Sequence, residues 1–208
     1  MKHLIIISTV TAAVLFFASC EEEDLKSDLE NKVTGTGEIV TRNLTLDSFN
    51  EIHLEGVSNV YVTISDEQST VLKAQQNIID VMTWEVVAGT LLIGLEENTS
   101  IENHEEIRFE IEIPELHEII HDGVGDFDLT GNTQETLDIT HTGVGDIYGY
   151  ALPVNECYLV TSGVGDCKVK VNDYLNVELT GVGNVYYRGN PEIEYTDMGV
   201  GQLIDDNN

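Results

Sequence analysis

Gly123-Val124-Gly125-Asp126 is followed by Gly143-Val144-Gly145-Asp146, Gly163-Val164-Gly165-Asp166, Gly181-Val182-Gly183-Asn184 and Gly199-Val200-Gly201-Gln202. The starts lie 20, 20, 18 and 18 residues apart, and a looser copy, Gly56-Val57-Ser58-Asn59, stands in the first half. One turn motif per constant period of this size is the mark of a solenoid, whose repeats bury their apolar faces against their neighbours. Aligned on the first Gly, the chain carries Ile119, Ile139, Leu159, Val177 and Tyr195 four positions before it. Four positions after it come Phe127, Ile147, Cys167, Val185 and Leu203, and the valines of the motif make a third apolar column. Gly suits a corner that needs positive φ, and Asp or Asn can hydrogen-bond the local backbone there. The spacing predicts an all-β fold, a parallel β-helix-like solenoid of 18–20-residue coils with two short strands per coil. A sandwich of hairpins would not need equivalent columns so regularly spaced.

Working outward, residues 33–114 alternate apolar and polar with period two, as half-buried strands do. Ile107, Phe109, Ile111 and Ile113 alternate with Arg108, Glu110 and Glu112. Asn77 to Met82 is long enough for one helical turn. Residues 33–114 thus read as a less regular β half and 115–205 as the repeats, together one domain over 33–208.

The N-terminus reads differently. Lys2, an apolar run from Leu4 to Phe17, and small Ala18 and Ser19 before Cys20 have the order of a secretory signal. The run is short of the about 20 residues a membrane span needs. Phe17-Ala18-Ser19-Cys20 resembles a bacterial lipobox, which implies a signal peptide over 1–19 and lipidation of Cys20. Residues 20–32 are dominated by acids and predict a solvated tether. Acids directly after a lipidated Cys also resemble the surface-export signal of Bacteroidetes lipoproteins. The expected location is the outer membrane, lipid-anchored, with the domain facing outward.

Composition narrows the function. The 208 residues carry 38 acids against 9 Lys and Arg, a formal charge of −29. Such acidity repels phosphate backbones, so nucleic-acid binding is not expected. With 41% hydrophobic residues and 3 Pro, global disorder is not expected either.

Gly35-Thr-Gly-Glu-Ile-Val-Thr-Arg-Asn-Leu44, Phe49-Asn-Glu-Ile-His-Leu-Glu-Gly56, Gly89-Thr-Leu-Leu-Ile-Gly94 and Ile113-Pro-Glu-Leu116, followed by the Gly-Val-Gly-Asp series, resemble the putative auto-transporter adhesin, head GIN domain family. The resemblance covers about residues 33–205. It implies a right-handed β-helix-like fold in an exported, often lipid-anchored protein, and it brings no catalytic residues. The usual corner in that family is Gly-Ser-Gly-Asp. Val replaces Ser in every full copy here, which removes a row of hydroxyls and argues against a sugar-facing corner.

Candidate chemistry is sparse. Asp126, Asp146 and Asp166 would stack about 4.8 Å apart and repel one another, which leaves room for a weak calcium site. Calcium-binding β-rolls, however, need Gly-Gly-x-Gly-x-Asp turns on both edges of the coil, and here one corner ends in Asn184 and another in Gln202. A ladder of Asx-capped corners is the simpler expectation. His121 and His141 share one register position on adjacent coils, beside Asp122. That pair could meet a transition metal, but no third ligand is fixed in register, and a polar stack on the solvent face is expected instead. Cys157 and Cys167 flank the Gly163 corner in core columns. Export and the opposition of the corner's two arms favour a disulfide between them over two buried thiols.

No Gly-x-Ser-x-Gly elbow or Cys-x-x-Cys is present. Neither a catalytic residue nor a cofactor is expected. Tyr148, Tyr150, Tyr158, Tyr186 and Tyr187 stand on strand faces, where aromatic rings can stack on sugars or contact protein. The reading is therefore a non-catalytic envelope lipoprotein, held to the membrane by its lipid and recognising a glycan or protein at the cell surface. A polysaccharide-active enzyme on the same scaffold, or a structural or signalling component of the envelope, is the alternative.

Overall fold

The computed structural model describes residues 31–207; Cys20, the export signal and most of the acidic run lie outside the described residues. The first half supplies β1 (Asn31–Thr34), β2 (Ile39–Leu44), β3 (Glu51–Leu54), β4 (Asn59–Ile64) and β5 (Ser69–Gln75). After the helical turn α1 (Gln76–Ile79) come β6 (Met82–Val87), β7 (Thr90–Leu95), β8 (Thr99–Glu102) and β9 (Arg108–Ile113). The repeats supply β10 (Glu118–His121), β11 (Phe127–Thr130), β12 (Gln134–His141) and β13 (Ile147–Thr161). They end with β14 (Cys167–Leu179), β15 (Val185–Arg188), β16 (Glu192–Asp197) and β17 (Leu203–Asp205).

Fifteen of these strands form one strongly curled open sheet. The register follows from the periodicity. Parallel pairing aligns Ile52, Ile119, Ile139, Leu159, Val177 and Tyr195 in one row. It aligns Val60, Phe127, Ile147, Cys167, Val185 and Leu203 in a second. The long strands β13 and β14 run through both rows, and their mutual register shifts between Gly149 and Pro153, where the sheet bends over. The two rows therefore face each other, and all but the last member of each is essentially inaccessible to solvent. Each such side chain contributes roughly 1.5–3 kcal/mol by leaving water. The looser copy at Gly56 joins the same stack, since Val57 bridges to Val124 across a gap filled by β5 to β9.

Two features depart from a purely parallel stack. β2 with β5, β5 with β9, and β6 with β7 pair antiparallel, so the first half closes one end of the repeats with hairpin-like edges. β1 pairs with β8 in a small separate sheet, which takes Asn31 and Lys32 out of the tether and into a strand.

The valine column also stands apart from its expected place. Val124, Val144, Val164, Val182 and Val200 do stack by isolated bridges, but on the outer side of the corner. The first four are about half exposed, at 48–51%, and Val200 more so. The glycines on either side bring the backbones of adjacent repeats together and turn the valines outward.

Candidate functional site

The corners are built for close approach. A Cβ on Gly143 would overlap the Gly123 carbonyl oxygen, and one on Gly145 the Gly125 carbonyl oxygen. Gly125, Gly145, Gly165 and Gly183 also hold φ between +136° and +147°, which L side chains rarely adopt. Across this contact the corner backbones bond from repeat to repeat, as in Val144 N–H to Gly123 O at 2.9 Å and Gly145 N–H to Val164 O at 3.0 Å.

The acidic column completes the corner. Asp126 Oδ1 accepts the backbone N–H of Asp146 at 2.8 Å, and Asp146 Oδ1 that of Asp166 at 2.7 Å. Asp166 does the same for Asn184, and Asn184 for Gln202, while Asn59 begins the series on Asp126. Position three after the first Gly is thus an Asx ladder in which a carboxamide serves as well as a carboxylate. Among the described residues no group of three or more His, Cys, Asp or Glu side chains is placed to hold a metal ion.

His121 and His141 are the correction to the solvent-face reading. Both are fully buried, in the column that holds Leu54 on the neighbouring strand before and Leu179 later. Their rings stack with centroids 4.8 Å apart and planes 18° apart, and Phe127 leans on His121 at 5.3 Å. Inward placement follows from period two: Ile119 and Ile139 point into the core, so the residues two further on do as well. Burial, with His141 beside it, lowers His121 to a pKa of about 4, and burial lowers His141 too. Both rings are neutral at pH 7. His141 Nδ1 lies 3.3 Å from Thr161 Oγ1 and 3.9 Å from Cys167 Sγ, while both His121 ring nitrogens are buried without a partner.

The favoured disulfide is not formed here. Cys157 and Cys167 are free thiols, both buried. Cys157 aligns with Leu137 and Leu175 in the row before the corners, Cys167 with Ile147 and Val185 in the row after them. Facing sheets stand about 10 Å apart, beyond the Cα–Cα reach of about 4.4–6.8 Å that a disulfide allows. Burial pushes the Cys157 thiol up to about 12 and raises Cys167 as well, so neither is a nucleophile.

The outward face of β11, β13, β14, β15 and β17 gathers the aromatic residues with the cations. Register places Asp128, Tyr148, Lys168, Tyr186 and Ile204 in one row across these strands. Lys168 Nζ lies 5.0 Å from the Tyr148 ring centre and 5.8 Å from that of Tyr186. Arg188 covers Tyr150 at 4.0 Å and binds Asp206 at 2.8 Å. Tyr148 donates its hydroxyl to Asp146 at 2.7 Å, which with burial pushes its pKa to about 12 and keeps the ring neutral. Of the five tyrosines expected on strand faces, Tyr148, Tyr150 and Tyr186 share this patch. Tyr158 stands on the other face against Tyr174, ring centres 5.7 Å apart. Tyr187 turns inward against the core, because neighbours in a strand alternate. Lys168, Lys170 and Arg188, the only cations of residues 115–205, all fall on this face. The available signal was that Lys170 and Arg188 share one position, seven residues after Gly163 and Gly181, with Lys168 two before it.

A separate open cleft of about 370 Å³ is lined by Asp66, Glu115, His117 and Gln134 among others. His117 there is engaged by Asn50 at 2.9 Å and Glu115 at 3.3 Å.

A family model described as putative auto-transporter adhesin, head GIN domain, matches residues 48–132 and 120–191. Among solved structures, one of a putative adhesin from Bacteroides fragilis is 21% identical, with a TM-score of 0.54 over 82% of this chain and 98% of that one. A putative adhesin from Parabacteroides distasonis is 18% identical, with a TM-score of 0.40 over 83% of this chain and 99% of that one. A putative lipid binding protein from the same organism is 16% identical, with a TM-score of 0.43 over 84% and 100%. No curated protein sequence matches the chain.

Proposed function

The chain belongs to the putative auto-transporter adhesin, head GIN domain family, and from that premise we propose that it is a non-catalytic recognition module of the bacterial cell envelope. In this reading Cys20 carries the lipid that holds the protein to the outer membrane, the acids after it form the tether, and the domain is displayed outward. The coils wind as a right-handed β-helix-like solenoid, whose rigid outer face presents the ligand-binding side chains.

One observation carries the reading. In a chain of charge −29, the three cations of the repeats converge with Tyr148, Tyr150 and Tyr186 on one outward face. Tyr148 is exposed and Tyr150 and Tyr186 are half-buried, and rings held by cation–π contacts on a sheet are suited to binding, because little conformational entropy remains to be lost. The family and the fold neighbours, several described as putative adhesins, support an envelope location and a binding role. His117-Glu118-Ile119-Ile120-His121 has the His-Glu-x-x-His order, but His117 is exposed against Asn50 and Glu115 while His121 is buried against His141, so the two rings are not gathered as a zinc-binding helix gathers them.

The test is a panel of surface glycans and matrix proteins, probed with the full chain and with its Tyr148→Ala/Lys168→Gln variant. The reading predicts at least one ligand retained by the parent and lost by the variant. Ligands held equally by both would move recognition off this face, and conversion of a glycan by the parent would make it an enzyme.

A further inference from the structure

Nine cations serve 38 acids in this chain, so a lysine on a sheet face has carboxylates within easy reach. Lys32, Lys73, Arg108 and Arg188 are each paired with one. Among the described residues Arg42 forms no ion pair but lies over the Trp84 ring, and Lys168 and Lys170 form none either. They are two apart on β14 and so point to the same side of the sheet. Lys168 lies between the rings of Tyr148 and Tyr186, and Lys170 stands directly opposite Arg188 on β15. Like charges opposed on neighbouring strands destabilise a sheet. Here that unfavourable pairing persists in a chain with acids to spare, and an anion bound across the two strands would relieve it.

The chain itself indicates which anion fits. Arg188 Nε and Nη2 lie 3.1 and 2.8 Å from Asp206 Oδ2, so a carboxylate from the C-terminal tail already occupies one side of the patch. The rings add a second requirement. Tyr148 and Tyr186 stand two strands apart, about 10 Å, with the lysine between them, which matches alternating flat rings and carboxylates. The row runs across neighbouring strands of an open sheet, which favours the middle of a chain over a terminal group.

We infer that the patch binds an acidic polysaccharide whose sugar rings bear carboxylates. The inference rests on the recognition reading above and names the ligand class of that same face. Sugar faces lie on Tyr148 and Tyr186 while their carboxylates meet Lys168 and Lys170. The rest of the molecule repels a polyanion. At physiological salt the screening length is about 8 Å, so a thin polymer feels the patch, whereas a broad anionic surface would meet the surrounding acids.

The experiment compares polygalacturonate with its fully methyl-esterified form, using the full chain at about 0.15 M salt. The acid form is expected to bind at least about tenfold more tightly than the ester. Lys168→Gln/Lys170→Gln should lose about tenfold in affinity with an unchanged circular dichroism spectrum. The single Lys170→Gln, at an exposed side chain, should weaken binding without risk to the fold. Lys73→Gln, paired with Glu110 at the far end of the face, should bind as the parent does. Equal binding of acid and ester, or unchanged affinity in the lysine variants, overturns the acidic ligand and leaves recognition standing. Binding of neither polymer also overturns it, and the glycan and protein panel then decides the recognition reading on its own.

Discussion

Asp126 accepts the backbone N–H of Asp146, twenty residues further along the chain, at 2.8 Å. This one bond explains why a short polar residue recurs at each corner. Asp146 in turn serves Asp166, so removing its carboxyl leaves a half-buried N–H without a partner. Asp146→Ala should cost about 1–3 kcal/mol, read as a lower midpoint in urea denaturation. Asp146→Asn should keep most of the stability, as Asn184 does naturally in the fourth copy. A loss as large in Asn as in Ala would mean that the negative charge, and with it a cation, holds the corner.

The glycines and valines of one motif should respond oppositely. Gly145 has φ +144° and no room for a Cβ against the Gly125 carbonyl. Gly145→Ala should lose several kcal/mol, about 3 or more, or fail to give folded protein. Val144 is half exposed, so Val144→Ser should stay within about 0.5 kcal/mol of the parent. Thermal melts of the two variants decide the point.

The buried imidazole pair makes the fold sensitive to mild acid. The folded pKa of His121 is lowered to about 4 and that of His141 is lowered too, while free imidazole titrates near 6.5. Above pH 6.5 neither state binds the proton and the full stability is present. As pH falls from 6.5 towards 4 the unfolded chain takes up protons that the folded chain refuses, and stability drops by roughly 2–3 kcal/mol for His121. Glu118 has the opposite sign: burial, Glu51 and Asp138 raise its pKa, so acid relieves it. That relief extends upward from pH 4.5 and offsets part of the loss, so the histidine share is read from a variant. His121→Leu, matching Leu54 in the same column, should flatten that decline in denaturation midpoints measured across the range.

Cys157 and Cys167 should be recovered as two thiols under denaturing, non-reducing conditions and should resist alkylation in the folded protein. Peptide mass spectrometry after alkylation reads both. A disulfide-linked peptide pair would contradict the separation of the two strands.

Much of this was legible in the sequence, and the rest failed for definite reasons. The columns Ile119 to Tyr195 and Phe127 to Leu203 are the pairing rows of the sheet, because a parallel stack converts sequence period directly into register. The antiparallel β2, β5 and β6 were not legible, since alternation marks a strand without naming its partner. The valines misled because apolar character marks the core only where backbones leave room for side chains, and at the corner they do not. The histidines misled in the opposite way: polarity suggested the surface, while period two from Ile119 and Ile139 already placed them inside. The cation–tyrosine patch was written in three lysine and arginine positions whose meaning appears only once Lys168, Tyr186 and Tyr148 stand side by side.

Outward display of the domain is the claim on which recognition at the cell surface depends. Limited trypsin treatment of intact cells, set against lysed cells, tests it most directly. Lys26 is the expected cut, because Lys32 lies in β1 and is paired with Glu102 at 3.0 Å. The account predicts that the folded domain is released into the medium from intact cells. Release only after lysis would place the domain in the periplasm and contradict a surface role.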